Sequence, residues 1–244
     1  MKRFVASRKL WLLITMVVVL LLWHHFIIRP AMLDWGSPPT IQHLSLAGDA
    51  LTTGNRHIRA VLIDGTPDEI WPWLLQMGQD RGGFYSYEWL ENIFRADMHN
   101  IYELRSELQH PRVVGDTVWL AGRHHYNGTG YQRIGAITPH QSFVMVDEED
   151  YTRLEHGRKA KACWAFYLHP QSNSKTWLIA GSYQSDGSPG RNVLRYFFYE
   201  VPHFIMERKM LRTIKRLVEQ NKPIEDGVTP AISFADDKDH ELIK

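Results

Sequence analysis

The chain has 244 residues, with 28 Lys+Arg against 27 Asp+Glu, and that balance excludes a general phosphate-backbone binder, which needs a concentrated basic face. Five of the basic residues lie in the first 29 positions, where there is no acid, so the remainder carries 23 basic against 27 acidic residues. One cysteine, Cys163, excludes an intramolecular disulfide framework and a Cys-rich zinc module, and 12% aromatic residues exclude disorder for most of the chain.

Residues 10–28, LWLLITMVVVLLLWHHFII, begin at Leu10, end at Ile28 and hold no formally charged side chain. As a helix they rise about 28 Å, close to the roughly 30 Å hydrocarbon thickness of a bilayer. The basic start also suits a signal peptide, but the following HHFIIRPAMLDWG has no small-x-small cleavage pattern, so the reading is an uncleaved anchor. Lys2, Arg3, Arg8 and Lys9 precede the segment and Arg29 follows it, which puts the N-terminus in the cytoplasm and the rest of the chain outside. The expected division is a cytoplasmic tip and transmembrane anchor at 1–29, a connector at 30–56, one domain at 57–222 and a polar tail at 223–244.

The connector holds three Pro and three Gly without a sustained period, and is expected to pack loosely on the domain. Residues 57–64 (HIRAVLID) alternate as a strand, with Ile58, Ala60 and Leu62 on one face and Val61 and Ile63 on the other. Thr66, Pro67 and Glu69 form a capping box that starts a helix, which Pro72 kinks or shortens and Gly78 ends. Helical spacing of aromatic residues predicts a second short helix at 84–94. Beyond it the period changes to two, and residues 113–120, 131–137, 142–146, 160–168 and 176–183 are strands joined by hairpins. A long helix at about 202–220 carries an apolar stripe of Met206, Met210, Ile214, Leu217 and Val218 opposite a basic face. The fold class is α+β. One long helix laid across a curved antiparallel sheet cannot touch it everywhere, and the gap is a ligand site.

The runs WPWLLQMGQDRGGFYSYEWLEN and ADMHN, then VGDTVWL and the late HFIMERKMLRTIKR, resemble a bacterial branch of the START-like, or SRPBCC, superfamily with its helix-grip fold. The resemblance spans about residues 57–220 and implies an apolar cavity, as in lipid-transfer proteins, polyketide cyclases and hydrophobic-hormone binders. It implies no single reaction. The membrane anchor departs from the soluble members.

The expected ligand is a hydrophobic small molecule or lipid, lined by Tyr85, Tyr87, Trp89, Trp164, Met206, Met210 and Ile214. An enzyme of cyclase or hydrolase type in the same cavity would use Glu88 or His99 as acid or base, with Tyr85 as a further candidate; each of these also reads as an ordinary structural residue. A third reading is a filled cavity in a protein-interaction domain. No cofactor motif is present, His124 and His125 lack a third ligand for a metal, and no nucleic-acid partner is expected. Asp80 and Arg81 are a candidate loop-holding pair, Glu207 is assigned to the outer face of the last helix, and Cys163 reads as a small buried hydrophobe.

Overall fold

The computed structural model describes residues 8–172, 174–184 and 199–220, so the tail expected at 223–244 lies outside the described residues. The chain begins with helix α1 (Arg8–Trp23), runs through a π-helical turn (His24–Ile28) and continues in α2 (Arg29–Leu33). Leu10–Leu33 is thereby one helical path, long and apolar enough to cross a membrane.

Two short helices, α3 (Pro39–Gln42) and α4 (Ala47–Leu51), lead into strand β1 (Asn55–Asp64). Helix α5 (Pro67–Leu75) follows, opened by the anticipated capping box: Glu69 accepts from the Thr66 N–H at 2.7 Å, and Thr66 Oγ1 accepts from the Glu69 N–H at 3.4 Å. After α6 (Glu88–Ile93) come β2 (Thr117–Trp119), β3 (Tyr131–Thr138), β4 (Ser142–Val146), α7 (Glu148–Glu155), β5 (Cys163–Ser172), β6 (Lys175–Gln184) and finally α8 (Val201–Gln220). The strands form one six-stranded sheet, ordered β1-β6-β5-β4-β3-β2 and antiparallel at every pairing. Five consecutive antiparallel strands thus extend from β2 to β6, with α7 and not the expected hairpin joining β4 to β5, and the first strand closes onto the last. Gly135 is an extra residue in β3 between Ile134 and Ala136, a bulge that bends the strand. The curved sheet and the helix across it make the α+β helix-grip architecture anticipated from the sequence.

Side-chain alternation divides the sheet cleanly between two cores. Val61, Ile63, Phe143, Met145, Phe166, Leu168 and Leu178 face α5 and α8, joined by Met210, Leu211, Ile214 and Val218. The alternate residues Ile58, Val144, Val146, Ala165, Tyr167, Ile179 and Tyr183 face the other way and are covered by the connector. This corrects the expectation of loose packing there: Leu33, Ile41 and Leu46 are buried, and α4 is hydrogen-bonded to the sheet through Gly48 N–H to Tyr167 Oη at 2.9 Å. Gly48 is required by that approach, since a Cβ would stand 2.5 Å from the Tyr183 ring. A sheet apolar on both faces needs both covered, and Pro- and Gly-rich sequence does not preclude short helices that do so.

Three further departures are local. Helix α6 is shorter than the expected 84–94, because Tyr85 adopts φ 58° and donates its N–H to Asn100 Oδ1 at 2.7 Å. The strand expected at 113–120 is reduced to Thr117–Trp119. Helix α7 was not anticipated, although Asp147 accepts the Asp150 N–H at 2.7 Å and Glu148, Glu149 and Asp150 fill the first turn.

Thr66→Ala removes the cap at the start of α5. It should lower stability by about 1 kcal/mol, read as a shift of the unfolding midpoint at unchanged denaturant slope.

Candidate functional site

Helix α8 does not seat evenly on the sheet. Its C-terminal half is solidly packed, with Ile214, Leu217 and Val218 buried against the core. Its N-terminal half roofs a cavity of about 490 Å³. Pro202, His203, Met206, Glu207 and Met210 line it from the helix, and Trp164 from β5. Phe84, Ser86, Glu91, Phe94, Ala96 and Met98 come from the segment around α6; Leu120, Ala121, Tyr126, Thr129 and Gly130 come from the hairpin joining β2 to β3. A second cleft of about 590 Å³ shares Leu120, Trp164, Tyr199 and His203 with the first. Trp164 therefore stands between the two, 5.7 Å from the Phe84 ring and 5.5 Å, edge-on, from the His203 ring.

The polar groups of the cavity are of two kinds. Glu207, 2% exposed, is fully engaged: Arg59 Nη1 donates to its Oε2, and Trp164 Nε1 donates to its Oε1 at 2.6 Å. Arg59 is held in turn by Met32 O, which accepts from its Nε at 2.8 Å, with His203 Nδ1 3.3 Å from its Nη1. Burial pushes the Glu207 carboxyl upward, but the pull of Arg59 and His203 and the hydrogen bonds from Arg59 and Trp164 outweigh it, so Glu207 titrates below the ordinary range. Burial holds the His203 imidazole below its usual value, against the opposing pull of Glu207. The surface His203 retains faces the two cavities.

Glu91 is the opposite case. It is 9% exposed, its Oε2 has no hydrogen-bond partner, and neither has the hydroxyl of Ser86, 4% exposed, on the same wall. Burial pushes the Glu91 carboxyl up to about 7; Ser86 lies close enough to temper that push without making a hydrogen bond of ordinary geometry, and Glu88 adds to it. Ser86 is positioned by Asn100, whose side chain accepts from Tyr85 N–H and donates to Ser86 O at 3.0 Å, and whose own N–H donates to Glu88 Oε1 at 2.7 Å.

Of the residues singled out in the sequence, Trp164, Met206 and Met210 meet at the cavity. Tyr85 lies in the core with its hydroxyl donating to Trp73 O at 3.1 Å, and Ile214 lies in the solid part of the helix interface. Tyr87 carries Lys209 5.1 Å above its ring, and Trp89 is 58% exposed. Glu88 serves the Asn100 loop and His99 is exposed, so neither reaches the cavity. Asp80 pairs with Arg123 at 3.2 Å rather than with Arg81, which donates instead to Leu75 O and Leu108 O. Glu207 points inward to Arg59, not outward as the charge pattern of the helix suggested. Cys163 is buried and free, its thiol pushed up by burial to about 12. Among the described residues, no three His, Cys, Asp or Glu side chains gather to hold a metal ion.

Sequence reasoning missed Arg59, Ser86, Glu91, His203 and Glu207. One signal was present for Glu207: positions 207, 210, 211, 214 and 218 fall on one helical face, and the other four are apolar.

No family model matches the chain, and none of the curated proteins matches it. Among solved structures it is similar to the Aha1 dimer of Colwellia psychrerythraea, at 13% identity and TM-score 0.36 over 69% of this chain and 99% of that one. It is similar to a polyketide cyclase-like protein of Corynebacterium glutamicum, at 12% identity and TM-score 0.34 over 67% and 91%. It is also similar to the self-sacrificing resistance protein CalC of Micromonospora echinospora, at 8% identity and TM-score 0.39 over 70% and 97%.

Two predictions follow from the opposed carboxyls. Arg59→Met leaves Glu207 buried without its cation and should destabilise the chain by about 3–5 kcal/mol, whereas Arg59→Met with Glu207→Met should recover most of that loss in thermal unfolding. For Glu91, the folded carboxyl titrates near 7 against an unfolded value near 4.5, so its contribution is complete below pH 4.5 and is lost as pH rises to about 7. Wild type should therefore lose roughly 2.5 kcal/mol relative to Glu91→Gln between pH 5 and pH 8. Parallel melting curves at the two pH values would place Glu91 in a water-like setting instead.

Proposed function

We propose that this chain binds a hydrophobic small molecule or lipid in the cavity between the curved sheet and the N-terminal half of α8, and that residues 10–28 tether it to a membrane. The observation that carries the reading is the cavity itself. About 490 Å³ is the size of a small-ligand site, and its wall is mostly hydrocarbon and aromatic, with a few polar groups placed at defined points. Met206 and Met210 supply the flexible, polarisable part of that wall, which adapts to ligands of varied shape. A filled cavity, the arrangement a pure protein-interaction domain would have, does not fit this volume.

The tether rests on the helical path Leu10–Leu33 and on the charge asymmetry of its flanks, which favours a cytoplasmic N-terminus with the domain on the opposite side. Arg29, at the end of the apolar run, pairs with Glu200 at 2.9 Å. Tyr199 and Pro202, the close neighbours of Glu200, line the cavity, so the tether and the mouth of the site are joined by one ion pair.

An enzymatic reading of the same cavity would rest on Glu91 in place of Glu88 and His99, since Glu91 lines the cavity and burial pushes its carboxyl up to about 7.

The full chain, extracted in mild detergent and examined by native mass spectrometry, should carry an apolar molecule of defined mass. Met206→Trp, which fills the cavity, should cut that occupancy several-fold while the chain remains folded, at a stability cost of about 1–3 kcal/mol. Equal occupancy in both proteins would place the molecule elsewhere, and an empty wild-type protein would count against the reading. Protease added to right-side-out vesicles should digest the domain; protection would reverse the orientation.

A further inference from the structure

Glu207 and Ser86–Glu91 stand on different walls of one cavity, and their hydrogen-bonding states differ. Both Glu207 oxygens already accept, from Arg59 and from Trp164. Ser86 Oγ and Glu91 Oε2 have no partner, although both are more than nine-tenths buried. Leaving a buried polar atom unsatisfied costs about 1–3 kcal/mol, and two such atoms side by side on the wall of a ligand-sized cavity mark a place where something else supplies the hydrogen bonds.

We infer that Ser86 and Glu91 form a polar pole that selects, for this otherwise apolar cavity, a ligand bearing a neutral hydroxyl: an apolar alcohol or phenol. The inference rests on the binding reading above and adds the ligand's polar chemistry to it. A hydroxyl donates to one of these oxygens and accepts from the other, satisfying both atoms with one group. An anionic head is disfavoured, because the cavity presents two carboxyls and Arg59, the cation nearest Glu207, is already committed to it. A strongly hydrated cation would need an ionised carboxylate to receive it, and burial keeps Glu91 substantially protonated at neutral pH.

Three ligands of one shape test the pole: naphthalene, 2-naphthol and 2-naphthoate. They are titrated calorimetrically into the full chain in lipid nanodiscs, with empty nanodiscs subtracted. Wild type should bind 2-naphthol about tenfold more tightly than naphthalene, the worth of roughly one well-made hydrogen bond to a buried carboxyl, and should bind 2-naphthoate more weakly than 2-naphthol. Glu91→Leu should bind naphthalene at least as well as wild type and lose the tenfold preference. Ser86→Ala, a smaller change that leaves α6 intact, should lose part of it. Equal wild-type affinity for naphthol and naphthalene, a preference for naphthoate, or an undiminished naphthol preference in both variants would overturn the polar pole while leaving apolar binding in place. Failure of all three to bind folded wild-type protein would overturn the binding reading itself, and the pole with it.

Discussion

Arg59 on β1 and Glu207 on α8 form a buried ion pair that decides how the last helix lies on the sheet. Arg59 also reaches back to Met32 O, and Glu207 also accepts from Trp164, so α2, β1, β5 and α8 are joined through two side chains. Beyond this point α8 is seated on the core chiefly by apolar residues, Leu211, Ile214 and Val218. At this point a carboxylate, a guanidinium and an indole take the place of interdigitating hydrocarbon, and the helix roofs a space rather than filling it. The pair contributes less to stability than its charges suggest, since desolvating two ions offsets most of their attraction. What it fixes is geometry: α8 is held at one end by apolar contact and at the other by a polar prop.

The cavity that results holds two carboxyls shifted in opposite directions by their partners, although the same low-dielectric surroundings act on both. Burial alone raises both. Glu207 escapes the rise because a cation and two hydrogen-bond donors meet it, whereas Glu91 has Ser86 nearby and Glu88 behind it, and stays high. Paired and unpaired acids in one small space divide the cavity into a wall whose carboxylate is saturated with hydrogen bonds and a wall where Ser86 Oγ and Glu91 Oε2 have none.

Helix α6 shows the cost of placing Glu91 inside. Glu91 is its buried residue, while Trp89 and Ile93 face outward. A helix that turns its apolar residues out and its acid in runs against the pattern that normally seats a helix, and it is held there by the Asn100 hydrogen bonds and by the left-handed Tyr85 instead of by hydrophobic burial. Rule-breaking of this kind concentrates at functional sites. The other face of the sheet follows the rules: α3, α4 and α7 cover an apolar surface with Ile41, Leu46 and Leu154.

The sequence by itself determined the elements whose signals are local. Period-two runs became β3, β4, β5 and β6; Thr66 and Glu69 opened α5; the spacing of Met210, Ile214, Leu217 and Val218 set the buried face of α8; and an uncharged run of membrane-spanning length was plain in residues 10–28. Each depends only on neighbours a few residues away. The tertiary structure alone decided that Glu207 turns inward, because its partner lies 148 residues earlier in the chain and no local pattern names it. It likewise decided that Glu91, and neither Glu88 nor His99, faces the cavity. Which side of a six-residue helix points inward is set by the loop that docks it, since one turn and a half of helix is too short for its own periodicity to prevail.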